Sequence, residues 1–277
     1  MQRIAEHIHP EEFSGINYRV ARTREEIEQA YALVYKEYLK KGYTKKNNSG
    51  LRFSIYNALP LTTTFIAATN TNHIAATATV ISDSPIGLPM DELYQKELST
   101  FRGQGKKLCE ISMLATDNTL LRHEPLASPL KKLLPLFILF KTLLDYTQDI
   151  LKSDIMYITI HPKYKTAFNL LAFKDLSGVK SYQEVNGAPA IGQYVDFPTM
   201  AQELRKPGKE KLYAIFIINK TDHSKFENKL AFSLEDLRYF FSEKSDIFKT
   251  APQAHKEYIE RCYSTGEHSL SSLRELT

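Results

Sequence analysis

Alternation between apolar and polar positions over residues 16–197 predicts strands and helices mixed along one chain. Residues 62–69 and 74–82 are rich in β-branched side chains, and the polar stretch between them has the composition of a hairpin turn. Apolar side chains recur at helical spacing between residues 23 and 42, and Thr23 to Glu26 have the pattern of a capping box. Strands are predicted at 16–21, 62–69, 74–82, 107–116, 154–160, 179–182 and 190–197, and helices at 23–42, 89–101, from about 129 to 151, and at 164–173. This order predicts an α/β fold with a single mixed sheet.

The strand predicted at residues 107–116 carries one carboxylate in a mostly apolar run. Alternation across a strand predicts one face with an acid and a hydroxyl, and a second face that is wholly apolar. The first face would hold Leu108, Glu110, Ser112 and Leu114, and the second Cys109, Ile111, Met113 and Ala115. A carboxylate inside a sheet is costly unless it is paired, hydrogen-bonded or beside a cavity. We therefore expect Glu110 either to pair with a structural lysine or arginine, or to serve a functional site.

Residues 43–59 are polar, contain Gly50 and show no clear period, so they are predicted to be a loop. A loop of this length within a compact domain is often a functional lid.

Beyond residue 198 the composition becomes charged and helix-like, with helices predicted at 233–241 and 252–263. Residues 212–219 are too short and too apolar for periodicity to distinguish a strand from a helix. We therefore predict a main domain at 1–198 and a mostly helical C-terminal extension at 199–277.

Composition excludes several classes of protein. Of the 277 residues, 43% are hydrophobic and 25% are charged, as in ordinary folded, water-soluble proteins. A net charge of +4 without a lysine- or arginine-rich block does not indicate nucleic-acid binding. The most apolar stretch, residues 133–144, is shorter than the roughly 20 residues of a membrane helix, so no integral membrane segment is predicted. Two distant cysteines and the lack of a signal-peptide pattern favour reduced thiols and a cytoplasmic location.

Four motifs follow one another along residues 17–197: LPLTTTFIA from Leu59, DSPIGLPMDEL from Asp83, EISMLA from Glu110 and VNGAPA from Val185. Together with the order of elements, they resemble the GNAT acyltransferases, and more specifically the N-acyl amino acid synthases of the FeeM type, relatives of the acyl-homoserine-lactone synthases. The resemblance implies a GNAT-like acyl-CoA N-acyltransferase fold with a helical C-terminal extension. It also implies an enzyme that moves a fatty acyl group from an acyl carrier protein thioester to the amine of an amino acid or a similar small amine.

The sequence departs from the family in two places. The family pattern at the central strand has an arginine where this chain has Met113, which removes a charge-assisted hydrogen bond generally worth about 1.5–3 kcal/mol. Activity or acceptor choice is expected to differ as a result. The chain also lacks tryptophan, whereas the N-terminal region of the lactone synthases contains it, and this disfavours that branch.

The chemistry implied by the resemblance needs a base, donors for the developing oxyanion and an apolar slot. Glu110 is the candidate base because burial raises the pKa of a carboxyl toward neutrality. Ser112 is the second candidate catalytic residue, although a buried serine bonded to nearby backbone is the alternative. The predicted substrate-binding residues are Thr64, Phe65, Met113, Ala115, Phe137 and Asn186.

The predicted donor rests on a missing glycine-rich loop. Coenzyme-A-using GNAT enzymes hold the pyrophosphate with such a loop after the central strand, and residues 116–129 contain no glycine. The phosphopantetheine arm of an acyl carrier protein is therefore favoured over acyl-CoA as co-substrate, with no permanently bound cofactor and no metal. Arg122, Lys131 and Lys132 would bind the carrier protein and speed encounter, or would be ordinary solvated charges.

Other interpretations stay open at this point. The chain resembles lactone-type signal synthases more weakly, and a non-catalytic GNAT-fold module that binds an acyl ligand is a second alternative. Cys109 is expected on the apolar face as a small buried residue rather than a nucleophile. His161 is favoured as an ordinary strand-end residue over an acid or base.

Overall fold

The computed structural model describes residues 15–117, 119 and 129–264, with residues 129–135 described by their backbone alone. Eight strands form a sheet in the order β1-β2-β3-β4-β5-β8-β6, and β7 pairs with β8. The strands are β1 Ile16–Val20, β2 Thr63–Thr69, β3 Ile74–Ser82, β4 Leu108–Thr116, β5 Ile155–Ile160, β6 Lys174–Asp175, β7 Lys180–Tyr182 and β8 Ala188–Asp196. Neighbouring strands are antiparallel except β4 and β5, which run parallel. The predicted mixed α/β sheet is confirmed, with β6 as a short strand that the sequence pattern did not indicate.

The helices are α1 Arg24–Lys40, α2 Asp91–Gly103, α3 Pro129–Asp149, α4 Lys165–Leu170, α5 Phe197–Leu204, α6 Glu210–Tyr213, α7 Leu234–Arg238, α8 Ile247–Thr250 and α9 Gln253–Ser264. Helix α1 begins as predicted, because the Thr23 side chain accepts a hydrogen bond from the Glu26 amide. The ambiguous stretch at 212–219 is helical, since α6 continues into a π-helical turn at Ala214–Ile218. No described helix is long and apolar enough to cross a membrane.

The sheet separates two packed layers. Helices α3 and α4 cover one face, where their apolar side chains pack on residues such as Cys109, Ile111 and Ile158. Helices α1 and α2 cover the other face, above residues such as Leu108 and Ala115. The two layers are called here the α3 face and the α1 face.

The chain beyond β8 contributes to both faces. Met200, Leu204 and Phe216 are buried in the α3 face, and Leu237 and Phe240 are buried in the α1 face. Between these two parts the chain runs beside the edge strand β1.

Main-chain contacts join the extension to the chain just after β1. The Leu230 amide donates to the Ala21 carbonyl at 3.0 Å, and the Arg22 side chain donates to the carbonyls of Ser224 and Glu227. A covered edge strand is protected from pairing with another chain. The division into domains at residue 198 stays a prediction, but the extension as far as it is described shares the core of the sheet.

Candidate active site

A cavity opens where two parallel strands separate. Pairing of β4 with β5 ends at Ile111 and Ile158, although β4 continues to Thr116 and β5 to Ile160. The cavity has a volume of about 680 Å³ and is lined by both strands beyond this point. Its other walls come from the end of α1 and the following segment, from α3, from the residues around His161 and Tyr164, from residues 182–190 and from residues 247–252.

A β-bulge in β4 shapes the cavity wall. Ser112 pairs with Thr79 and Ala115 pairs with Thr77, so two residues of β4, Met113 and Leu114, lie opposite one residue of β3. Met113 adopts a left-handed backbone conformation with φ of 54°. The bulge therefore interrupts the regular alternation of side chains.

The predicted two faces of β4 are accordingly wrong beyond Ser112. Met113 and Ala115 pack in the α1 face, whereas Leu114 packs against the α3 face. Alternation was inferred from a continuous strand, and the extra residue of a bulge reverses it.

Glu110 lies at the bottom of this cavity with its side chain 2% exposed. The Met90 amide donates to Oε2 at 2.9 Å, and the other oxygen accepts no hydrogen bond from the described residues. Burial raises the pKa of Glu110 from 4.5 to about 8, the Met90 amide opposes this rise, and the charge of Asp91 adds to it. Within the described residues no lysine or arginine forms an ion pair with Glu110, which is the structural role considered from sequence.

An ionic cluster fixes the backbone that holds Glu110. Arg102, near the end of α2, donates two hydrogen bonds to the carboxylate of Asp83 and two to that of Asp91, with distances of 2.6–2.8 Å. Asp91 in turn accepts from the Leu88 amide at 2.7 Å. The 83–91 loop is thus closed onto α2, and Met90 is held where its amide reaches the Glu110 carboxylate.

Three other residues predicted from sequence also line the cavity, namely Ser112, Met113 and Ala115. The Ser112 hydroxyl makes no hydrogen bond with the described residues. Met113 is buried.

The remaining predicted substrate-binding residues lie outside the cavity lining. Thr64 bonds to the Thr79 hydroxyl at 3.3 Å, Phe65 packs on Tyr146, and Phe137 packs on Phe216 in the α3 face. Helix α3 reaches the cavity through Leu136 instead. Asn186 donates to the Gly42 carbonyl at 2.9 Å and so joins the 183–187 turn to the end of α1. The binding roles of these residues stay predictions.

The predicted carrier-protein contacts fall at the limits of the described chain. Arg122 lies outside the described residues, as does most of the glycine-free segment that follows β4. Lys131 and Lys132 belong to the first turn of α3, where only the backbone is described.

Arg52 is a cavity residue that the sequence patterns did not identify as functional. Arg52 lines the cavity, and its Nη1 donates to the Thr44 hydroxyl at 3.3 Å. Its Nη2 donates to the Glu184 carbonyl and lies 3.7 Å from a carboxylate oxygen of the same residue, and its buried Nε has no partner among the described residues. Its guanidinium lies 5.3 Å from the ring centre of Tyr38. Arg52 is the only arginine in the predicted 43–59 loop, and it directly precedes an apolar run, which is the signal that was available.

His161 also lines the cavity, at the point where β5 ends. Its Nδ1 accepts a hydrogen bond from the Lys163 amide at 3.2 Å, so the neutral ring carries its proton on Nε2. The hydrogen bond stabilises the turn that follows β5, and it leaves the Nε2–H of this cavity-lining residue as a donor.

Cys109 lies on the α3 face, is fully buried and does not line the cavity. Burial raises the pKa of its thiol to about 12, so the nucleophilic thiolate is not populated near neutral pH. The described residues also contain no cluster of side chains suited to a metal ion.

Charges of both signs act on tyrosines of the cavity wall. Burial raises the pKa of Tyr56 to about 12, and the charges of Glu110, Glu184 and Glu92 add to that rise. Burial also raises the pKa of Tyr43, and the charge of Lys163 opposes this rise. Acidic side chains therefore act on Tyr56, and a lysine acts on Tyr43.

The comparisons with known proteins agree with this geometry. The profile of the family "N-acyl amino acid synthase FeeM" matches residues 29–196. The structure of FeeM, an N-acyl amino acid synthase from uncultured soil microbes, is 32% identical, with a TM-score of 0.58 over 68% of this chain and 93% of FeeM. No curated protein matches the chain in sequence.

More distant structures share much lower identity. The spermidine/spermine N-acetyltransferase SpeG from Vibrio cholerae is 11% identical, with a TM-score of 0.43 over 68% of this chain and 98% of SpeG. The CoA-dependent acyl-homoserine lactone synthase BjaI is 13% identical, with a TM-score of 0.48 over 72% of this chain and 96% of BjaI. The family profile, which spans strands β2 to β8 and most of the cavity lining, and the likeness to FeeM identify the chain as an N-acyltransferase that belongs to the FeeM family of N-acyl amino acid synthases.

Proposed function

We propose that the protein transfers a fatty acyl group from the thioester of an acyl carrier protein to the amine of an amino acid, with Glu110 as the general base. The observation that carries this proposal is a buried carboxylate at the bottom of a large cavity, without an ion-pair partner among the described residues. A base is most effective when its pKa lies near the working pH. A pKa of about 8 gives Glu110 that property.

The reaction needs no covalent enzyme intermediate. The acceptor ammonium gives one proton to Glu110 and becomes a nucleophilic amine. Its nitrogen attacks the thioester carbon, the C–N bond forms and the C–S bond breaks. The nitrogen then loses a second proton, and the departing thiolate takes one up to become a thiol. No oxidant or reductant is required.

The bulge in β4 supplies candidate donors for the oxyanion. Met113 and Leu114 lie beside the cavity and have no paired residue on β3. Backbone amides that are released from a ladder in this way can face the carbonyl oxygen of a thioester. The Ser112 hydroxyl, which has no partner among the described residues, is a further candidate.

The acyl chain fits the apolar gap between the separated strands. Leu136, Ile158, Ile160 and Phe168 line this part of the cavity on the α3 face. An apolar slot at this position suits a fatty chain because each buried methylene contributes about 0.8 kcal/mol. The fatty character of the donor is therefore supported by the lining.

Arg52 supports an amino acid as the acceptor. A carboxylate is the group that a guanidinium binds best, and Arg52 lines the cavity with its Nη2 3.7 Å from one carboxylate oxygen of Glu184, a contact that an acceptor carboxylate could share or replace. An acceptor whose carboxylate lies at Arg52 would direct its amine toward the interior of the cavity. Plain amines lack this contact and are expected to be poorer acceptors.

Exposed lysines support a carrier protein as the donor. Lys41 borders the cavity and Lys163 lies beside Tyr164, and neither forms an ion pair with the described residues. An acidic carrier would be steered to this edge. Lys163→Glu should raise KM for an acyl carrier protein at low salt, and the effect should shrink at high salt, whereas Lys96→Glu on the exposed side of α2 should leave this KM unchanged.

Product formation tests the proposed function. The purified chain is incubated with acyl carrier protein loaded with a fatty acid and with a mixture of amino acids, and N-acyl products are identified by mass spectrometry. Glu110→Gln should lower the rate by about 10²–10⁴-fold, the usual contribution of a general base. The surface variant Glu203→Gln should keep the wild-type rate.

Two results would contradict the proposal. An unchanged rate in Glu110→Gln would remove the base assignment. The absence of product with every carrier-bound and CoA-bound donor, despite retained binding of acyl ligands, would instead indicate a non-catalytic acyl-binding module.

A further inference from the structure

Residues 247–252, termed here the C-terminal rim, border the cavity although they lie outside the family match. Ile247, Thr250, Ala251 and Pro252 all belong to the cavity lining. The family profile ends at residue 196, and 68% of this chain already covers 93% of FeeM. The C-terminal rim is therefore an addition to the family domain that reaches its active-site cavity.

Aromatic packing anchors the C-terminal rim to the cavity wall. Phe241 meets Phe53 edge to face at 5.3 Å between ring centres and stacks on Phe248 at 5.1 Å. Further along the extension, the Tyr263 hydroxyl donates to the Ala58 carbonyl at 2.9 Å. Because residues 53–56 line the cavity themselves, the rim and this wall form one packed unit.

The rim lies on the Glu110 side of the sheet. Phe241 and Phe248 are buried in the α1 face together with Met113, whereas the slot proposed for the acyl chain lies on the α3 face. The ring of Tyr56, whose pKa responds to the charge of Glu110, lies 6.4 Å from the ring of His255, just beyond the rim. The rim thus borders the half of the cavity in which an acceptor amine would meet Glu110.

We infer that the C-terminal rim selects the acceptor by the size of its side chain and favours amino acids with an apolar side chain. This inference rests on the proposed function. Within the rim, Ile247, Ala251 and Pro252 are apolar cavity-lining residues, and Ile55 of the facing wall packs in the same apolar cluster as Ile247. A bulkier residue at Ala251 would narrow this part of the cavity.

Direct binding of product analogues tests the inference without relying on turnover. N-lauroylglycine and N-lauroyl-leucine differ only in the side chain of the amino acid, and N-octanoyl-leucine differs from the latter only in the acyl chain. Calorimetry on the full chain should show that Ala251→Phe weakens binding of both leucine compounds about tenfold or more and changes binding of N-lauroylglycine less than about twofold. The matched control is Ala254→Phe, the same substitution at an exposed position outside the cavity, which should leave all three affinities unchanged.

A second variant acts in the opposite direction. Ile247→Ala widens the same wall and should improve binding of N-lauroylphenylalanine relative to N-lauroylglycine. If thermal melting shows that Ala251→Phe folds poorly, the Ile247→Ala variant still tests the role of the rim.

The outcomes separate the rim from the proposed function. If the wild-type chain binds these compounds but Ala251→Phe changes all of them equally, changes none, or changes them according to acyl length, the role of the rim is wrong. If the wild-type chain binds none of them, the proposed function fails, and the role of the rim fails with it.

Discussion

Replacing Glu110 by glutamine should change how the stability of the protein depends on pH. The substitution keeps the size of the side chain and an oxygen that can accept the Met90 hydrogen bond, and it removes the titratable group. The carboxyl is buried, so ionisation is much less favourable in the folded chain than in the unfolded one. Stability therefore reports the environment of Glu110 independently of any enzymatic assay.

The magnitude follows from the pKa. The difference between 4.5 and about 8, at about 1.36 kcal/mol per pH unit, corresponds to about 5 kcal/mol. Below pH 4.5 the group is protonated in both states, and its favourable contribution to folding is fully present. Between pH 4.5 and about 8 the unfolded chain releases the proton while the folded chain keeps it, so this contribution is lost as pH rises. Above about 8 the folded state holds an ionised, buried carboxylate.

Urea unfolding at a series of pH values from 4 to 9 measures this effect. The free energy of unfolding of Glu110→Gln, minus that of the wild type, should rise steadily across the window and level off above about pH 8. The control is Glu203→Gln, which removes an exposed acid whose pKa is lowered by its hydrogen bond to Lys206 and which should show no such rise. Parallel curves for the wild type and Glu110→Gln would show that the carboxyl is not buried as described and would refute the reasoning.

Three further substitutions test how the site and the extension are held. Arg102→Leu leaves the two aspartates that it joins without their cation, and urea unfolding should show a loss of about 1.5–3 kcal/mol; a loss below about 0.5 kcal/mol would contradict this support. Phe241→Ala removes a fully buried ring and should cost about 3–5 kcal/mol in a single cooperative transition, whereas a separate transition of the extension would show that it folds alone. Lys141→Met leaves the buried Asp145 without its nearest cation and should cost about 3–5 kcal/mol by the same measurement; an unchanged midpoint would show that the pair is dispensable.

Local patterns in the sequence were sufficient for most of the elements. The capping box at Thr23, the β-branched runs on either side of the 70–73 turn and the apolar strand around Glu110 all predicted the elements observed. These signals are local because hydrogen-bonding groups and side-chain periodicity act within a few residues of one another. The motifs that resemble the FeeM family also lie within single elements or turns, so the family could be inferred before any contact between elements was known.

Beyond a β-bulge, the face of the sheet on which a side chain lies depends on the register with the neighbouring strand. The register of β4 against β3 decides that Met113 and Ala115 lie on the α1 face, and no local pattern marks the bulge. A single extra residue reverses the side-chain alternation, so the error extends to every later position in the strand.

The sequence by itself determined the order of strands and helices, the family, and Glu110 as the acid that requires an explanation. Only the tertiary structure decided that Glu110 lacks an ion-pair partner among the described residues, that Arg52 borders the same cavity, and that the C-terminal rim closes one side of it. These three facts depend on contacts between residues that lie far apart in the chain. Such contacts are fixed by the packing of whole elements, which the periodicity within one element does not record.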